Sequence, residues 1–241
     1  MGDLIPLVVN GGSILVFELS HVKRLRDLGI VGILSGTLPK APQQNVFLGL
    51  PLRLSIYEAA WLVNQSLGVL VDGLRYNEQV LNISSLKEET VELQGGVEYV
   101  VTEDTYSQVD DEQLAKICRD AEISVDALMV RLFGSVKTRQ HLLSAAFNYF
   151  RDRDYYLMPG LRFGGDFVAY PGDPLKFHSH LILKVLEQKE SFDLLQLVTS
   201  GRLATAVKKA WVLVGESSTQ RNKQNQKPSL HCFSIEWAGF G

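Results

Sequence analysis

Cysteine is scarce in this chain: Cys118 and Cys232 are the only two among 241 residues. They stand far apart without C-x-x-C spacing, which excludes a disulfide framework and a cysteine-built zinc cluster. The expected compartment is a reducing one. Long apolar runs are also missing. None approaches the roughly 20 residues that a membrane-spanning helix needs, so no membrane insertion is expected. The opening segment MGDLIPLVVN has an acid and a proline where a signal peptide carries basic residues and a longer apolar stretch, so secretion is not expected. No repeat period and no metal-ligand spacing is visible, and the expectation is a protein without metal or cofactor. Aromatic residues make up 9% and charged residues 21%, ordinary values for a globular chain. The apolar fraction of 46% suffices for one large core or two modest ones.

The formal net charge of −3 hides an asymmetry. Residues 1–83 hold six basic and six acidic side chains; residues 84–126 hold three and twelve; residues 127–241 hold fifteen and nine. The last segment, at +6, suits a polyanionic partner, and the acidic middle would repel one. A balance of that size is also common on ordinary solvated surfaces.

Three parts follow from pattern and punctuation: a small N-terminal α/β domain over 1–83, an acidic connector with one helix over 84–122, and a C-terminal α/β domain over 123–241. IPLVV and SILVFEL read as paired strands around Asn10-Gly11-Gly12, a strong hairpin signal. Ser20 is placed to cap a short helix that Gly29 stops. Pro39, Pro42 and Pro51 punctuate a loop (GTLPKAPQQN) that cannot be helical. Ser55 and Glu58 form an S-x-x-E capping box for YEAAWLVNQSL, and GVLVDGL returns as a strand. In the middle, DDEQLAKICRDA is the helix candidate. Further on, HLLSAAFNYFRDRDY has apolar residues at helical spacing and ends at Pro159-Gly160. Strands are predicted over Leu161–Tyr170 and Phe177–Leu186, joined by a type II turn at Pro171-Gly172. Ser191 is expected to begin a helix closed by Gly201. AWVLVGE and LHCFSIEW complete the sheet across the polar loop Gln220–Lys227.

Chemistry concentrates in RFGGDFVAYPGDPLKFHSHLIL and the later VKKAWVLV. Strand alternation puts Tyr170 on the more polar face and sets His178 and His180 together, opposite Phe177 and Ser179. Gly164-Gly165 leaves room for a close backbone approach. Taken singly, each residue has a plain reading: a packed tyrosine with a wet hydroxyl, a histidine satisfied by a carbonyl, a lysine pair on a solvated strand edge.

Taken together, FGGDFVAYPGDPLKFHSH followed by GRLATAVKKAWVLV resembles the C-terminal nuclease domain of the tRNA-splicing endonuclease family. Within it, the likeness is closest to the eukaryotic catalytic subunit cutting the 3′ splice site. The specific parts are YPGDP-x-x-x-H and a V-x-K whose lysine lies 31 residues after the histidine. The N-terminal GTLPKAPQQN and GLPLRLSIYEAAWLV resemble that subunit's small N-terminal domain. The middle departs, since relatives can carry a long charged insertion where this chain has a short acidic connector.

The resemblance implies an α/β fold with a mixed-sheet, restriction-endonuclease-like C-terminal domain. It implies a catalytic set of Tyr170, His178 and Lys209, with His180 and Lys208 as the neighbouring competitors. It implies cleavage of pre-tRNA without metal, to a 2′,3′-cyclic phosphate and a 5′-hydroxyl. Functional-group chemistry supports those roles. The 2′-hydroxyl is RNA's own nucleophile, a phenolate can take its proton, and a nearby ammonium favours the phenolate and offsets charge on the phosphorane. An imidazole can protonate the leaving oxygen, each acid–base group contributing about 10²–10⁴-fold. The implied partners are intron-containing pre-tRNA, a second catalytic subunit for the 5′ splice site, and two non-catalytic subunits of a heterotetramer. The implied location is the nucleus, or in budding yeasts the cytosolic face of the mitochondrial outer membrane. Arg162, Lys176 and Lys208 are candidates for RNA phosphate contact, though ordinary surface charge explains each as well. Two rivals stand beside this reading. One is a non-catalytic scaffold subunit of the same complex, against which the presence of all three residues argues. The other is a metal-dependent nuclease built on Asp166 with Glu187 and Lys189.

Overall fold

The computed structural model describes residues 4–37, 48–84, 89–93, 97–101, 110–135, 138–188, 190–191, 193–216 and 229–237. The loop expected over GTLPKAPQQN from residue 38 onward, the loop Gln220–Lys227 and Lys189 lie outside the described residues.

Strand β1 (Ile5–Asn10) and strand β2 (Ser13–Val16) form the expected hairpin, with Asn10 opposite Ser13 and Gly11 at φ 58°. Helix α1 spans Leu19–Asp27, followed by β3 (Ile33–Thr37) and β4 (Leu48–Leu54). Helix α2 (Ile56–Asn64) opens on the full capping box: the Ser55 hydroxyl accepts from Glu58 N at 3.2 Å, and the Glu58 carboxylate accepts from Ser55 N at 2.8 Å. β5 (Gly68–Asp72) then pairs parallel to β1, giving a five-stranded sheet in the order β3-β4-β2-β1-β5.

Helix α3 (Gly73–Ser84) leads to a hairpin of β6 (Glu89–Leu93) and β7 (Val97–Val101) within the acidic stretch, beside the expected helix there, α4 (Asp111–Asp120). Helices α5 (Val125–Phe133) and α6 (Thr138–Arg151) follow. The second five-stranded sheet comprises β8 (Tyr156–Pro159), β9 (Phe167–Tyr170), β10 (Leu181–Leu186), β11 (Ala210–Glu216) and β12 (Leu230–Ile235). Its order is β12-β11-β10-β9-β8, with only β10 and β11 parallel. Helix α7 (Leu194–Ala206) makes the crossover between those two, as a parallel pair requires.

Period-two alternation sorts the sheets' side chains between layers. Ile5, Leu7 and Val9 of β1 join Leu183, Val185, Val212 and Val214 of the second sheet in one buried cluster with residues of α2, α5 and α6. Phe167 sits at its centre, edge-on to Tyr57 (5.4 Å between centroids) and to Phe147 (5.9 Å). The other face of the first sheet packs Val8, Val69 and Val71 against α3 and α4. The other face of the second packs Ile182 and Trp211 against Ala204 of α7. Both sheets are thereby held in one frame, and the ends of the second sheet's strands stand where that core places them.

Several local expectations give way. Pro51, read as loop punctuation, lies within β4. Helix α1 begins one residue before Ser20 with Glu18 at its cap, and the Ser20 hydroxyl donates to the Glu18 carboxylate at 3.2 Å. The strand expected over Leu161–Tyr170 starts only at Phe167; Leu161–Phe163 is a 3-10 turn that ends at Gly164, φ 74°. Gly165 does meet a neighbouring strand closely, since a Cβ there would lie 2.6 Å from Ile182 and 2.9 Å from the Leu183 carbonyl. Gly172 does not take the positive φ of a type II turn, and the strand expected from Phe177 begins at Leu181. Between them the chain turns on Asp173. Helix α7 is capped by Asp193 rather than Ser191 and runs through Gly201, which is buried toward Ile235 and Trp237.

Candidate active site

Tyr170 is the last residue of β9, while Leu181 and Ala210 open β10 and β11. The registers place Leu181 opposite Ala169 on one side and Ala210 on the other. His180 N donates to the Ala169 carbonyl at 3.0 Å, and Ala210 N donates to the His180 carbonyl at 2.9 Å. Tyr170, the His178–His180 segment and Lys209 therefore meet at one end of the sheet, at the ends of three adjacent strands spaced about 4.8 Å apart.

Each side chain has a local cause for its position. Tyr170 is half-buried at the end of a strand whose preceding three residues are buried. After it, the Asp173 carbonyl accepts from Lys176 N (2.8 Å) and Phe177 N (2.9 Å), and the Asp173 carboxylate accepts from Leu175 N (2.9 Å). This closed turn delivers His178. Exposure then alternates, with His178 and His180 open to solvent and Ser179 only 6% exposed. Lys209 follows the end of α7, where Lys208 takes the left-handed conformation, φ 55°, and Lys209 N reaches the Ala204 carbonyl at 2.9 Å. The Lys209 ammonium donates to the Ser179 carbonyl at 3.2 Å and lies 5.4 Å from the centre of the Phe163 ring. That contact ties Lys209 to the residue between His178 and His180, whereas Lys208 is exposed on the turn.

Arg162 lies exposed on the 3-10 turn and Lys176 exposed on the Asp173 turn, so both are open to solvent on segments flanking the site. Asp166 and Glu187 of the metal-nuclease reading stand elsewhere. Asp166 precedes β9 and Glu187 follows β10, which puts both at the sheet end opposite Tyr170. The Asp166 carboxylate is engaged, 2.8 Å from Arg139 on one oxygen and 2.8 Å from Val185 N on the other, with Lys184 at 4.0 Å. Arg139 also reaches Glu190 at 3.4 Å. This network pins α6 to the sheet. Its charge also bears on Tyr57, whose hydroxyl is pushed above the ordinary tyrosine range by burial first and by Asp166 second. Among the described residues no group of three histidine, cysteine, aspartate or glutamate side chains is arranged to hold a metal ion.

Sequence reasoning missed the partners that hold the site: the Ser179 carbonyl, the Phe163 ring and the ion pair of Asp173 with Arg26, 147 positions earlier, at 2.9 Å. The acid within P-G-D-P marks a turn, but nothing local points to an arginine in α1.

Comparison with known proteins finds matches at both ends of the chain. The model of the tRNA intron endonuclease catalytic C-terminal domain matches residues 142–223, which include all of Tyr170, His178 and Lys209. The model of the TSEN34-like N-terminal domain matches residues 5–73. The tRNA-splicing endonuclease subunit SEN34 of Saccharomyces cerevisiae is 33% identical over 279 aligned positions, covering 94% of this chain and 99% of that protein. The probable tRNA-splicing endonuclease subunit sen34 of Schizosaccharomyces pombe is 32% identical and covers 98% of both. The human tRNA-splicing endonuclease subunit Sen34 is 44% identical over 62 residues, 26% of this chain and 20% of that protein.

Proposed function

The chain belongs to the tRNA-splicing endonuclease family, and on that premise we propose that it is the subunit that cuts pre-tRNA at the 3′ splice site, without a metal ion, using Tyr170, His178 and Lys209. As a tRNA-splicing endonuclease subunit it acts within a complex on pre-tRNA. The second catalytic subunit for the 5′ site and the two non-catalytic subunits are the partners proposed for it.

The observation that carries the chemical reading is the meeting of three strand ends, with the Lys209 ammonium bonded to the carbonyl beside His178. In the reaction, Tyr170 as its phenolate takes the proton of the 2′-hydroxyl. The 2′-oxygen forms a bond to phosphorus, and Lys209 faces the charge that gathers on the non-bridging oxygens. The bond from phosphorus to the 5′-oxygen breaks as His178, entering as imidazolium, gives that oxygen a proton. Atoms balance without water, leaving a 2′,3′-cyclic phosphate and a 5′-hydroxyl. Because the strand ends are fixed by the core, the groups are ordered before RNA arrives, which lowers the entropic part of the barrier.

The test is the reconstituted complex carrying His178→Ala, with His180→Ala beside it. The expected result is loss of the 3′ cut with the 5′ cut spared, and little effect of His180→Ala. Two cuts at wild-type rate in His178→Ala would overturn the proposal.

A further inference from the structure

Two arginines join α1 to the half of the chain that carries the site. Arg151 of α6 donates from Nε (3.1 Å) and Nη2 (2.7 Å) to the Leu28 carbonyl, at the end of α1 where a cation is favoured. Its third bond, 3.0 Å, goes to the Tyr155 carbonyl, and its guanidinium lies 5.7 Å from the Trp61 ring centre and 5.2 Å from that of Tyr156. Gly29 makes room for it, since a side chain there would collide with the guanidinium. Leu25, fully buried, fixes the rotation of the helix. With α1 held at its end and along its axis, Arg26 reaches away from the core to Asp173.

Asp173 is the residue on which the loop before His178 folds. One of its carboxylate oxygens takes both the Arg26 Nη2 donor and Leu175 N, each at 2.9 Å, while its carbonyl takes Lys176 N and Phe177 N. Gly172 completes the turn by admitting the Phe177 ring where a Cβ would stand 2.7 Å away. His178 is the next residue. The ion pair leaves 26% and 29% of its side chains exposed, so its contribution to global stability is small. Its effect is directional.

We propose that Arg26 is a positioning residue for cleavage: through Asp173, helix α1 holds the turn that aims His178 at the leaving 5′-oxygen. This rests on the role given to His178 above. A misplacement of about 1 Å at a reacting group costs on the order of 10²-fold in rate, so loss of this tether registers in the chemical step rather than in RNA affinity.

The experiment uses the assembled complex with Arg26→Ala, Arg26→Lys, Asp173→Asn and the Arg26→Ala/Asp173→Asn double variant, in single-turnover cleavage over a range of pre-tRNA concentrations. Asn keeps an oxygen for Leu175 N and removes the charge. For Arg26→Ala the saturated rate at the 3′ site falls about tenfold or more. Half-saturating pre-tRNA, the rate at the other site and the thermal midpoint stay as in wild type. Arg26→Lys recovers most of the loss, and the double variant is no slower than the worse single one, because both changes act on the same ion pair. A wild-type rate for Arg26→Ala, a loss confined to RNA affinity, or losses that multiply in the double variant would each overturn the proposal. His178→Ala, run in parallel, separates the two claims. If it still cuts, the catalytic reading has failed; if it is inactive while Arg26→Ala is unimpaired, only the positioning role has failed.

Discussion

Replacing Lys209 by methionine removes one charge and one hydrogen bond while keeping a long apolar stem, so its structural and chemical costs can be worked out separately. The structural part is the bond from the ammonium to the Ser179 carbonyl at 3.2 Å, at a partly buried position. A bond of that kind contributes about 1 kcal/mol net. For a chain of 241 residues that is a shift of roughly 2–4 °C in thermal midpoint. The chemical part is larger. A preorganised donor aimed at charge that develops in the transition state contributes about 3–4 kcal/mol, or on the order of 10²–10³ in rate. Single-turnover cleavage of pre-tRNA by the complex, set beside thermal unfolding of the same preparation, measures both. The expected result is a rate loss far beyond what the small shift in midpoint explains, with Lys208→Met close to wild type in both assays. If Lys208→Met abolishes the cut and Lys209→Met does not, the strand-end geometry has been assigned to the wrong lysine.

Three further outcomes test the fold around the site. Gly160→Ala puts a Cβ 2.6 Å from the Phe167 backbone, which cannot turn aside as a side chain can, and chemical denaturation should show a loss of about 1–3 kcal/mol. Asp166→Asn weakens the tie to Arg139 at the far end of the sheet, so it should lower stability while cleavage of pre-tRNA continues. Burial pushes the Cys118 thiol up to about 11, so the folded chain keeps this proton after the unfolded chain has lost it. The sign follows: stability falls as pH rises from about 9 toward 11, and part of that slope should vanish in Cys118→Ala. Native Cys118 should also alkylate far more slowly at pH 8 than in denaturant.

Much of the frame was legible because its signals are local. Asn10-Gly11-Gly12 marks a hairpin, and Ser55 with Glu58 marks a helix start. The catalytic candidates were legible only through motif and spacing, since Tyr170, His178 and Lys209 taken one by one look like ordinary strand-end residues. What escaped depended on contacts distant in sequence. Leu161–Phe163 alternates like a strand, yet Gly160 packs onto Phe167 so tightly that the chain turns there instead. Gly201 looks like a helix stop, yet α7 continues through it to Ala206. The short β8 was hidden behind the helix that precedes it. The hairpin of β6 and β7 was hidden in an acidic stretch read for its charge rather than its alternation. Arg26 finds Asp173 only because Arg151 and Leu25 have already set the direction of α1.

The most direct test of the catalytic claim is single-turnover cleavage of an intron-containing pre-tRNA by the complex in excess EDTA, with the ends of the 3′-site products identified. The account predicts an undiminished rate for the wild-type chain, ends that are a 2′,3′-cyclic phosphate and a 5′-hydroxyl, and no 3′ cut for His178→Ala. Cleavage that stops in EDTA and returns with a divalent cation, or that leaves a 5′-phosphate, would contradict it.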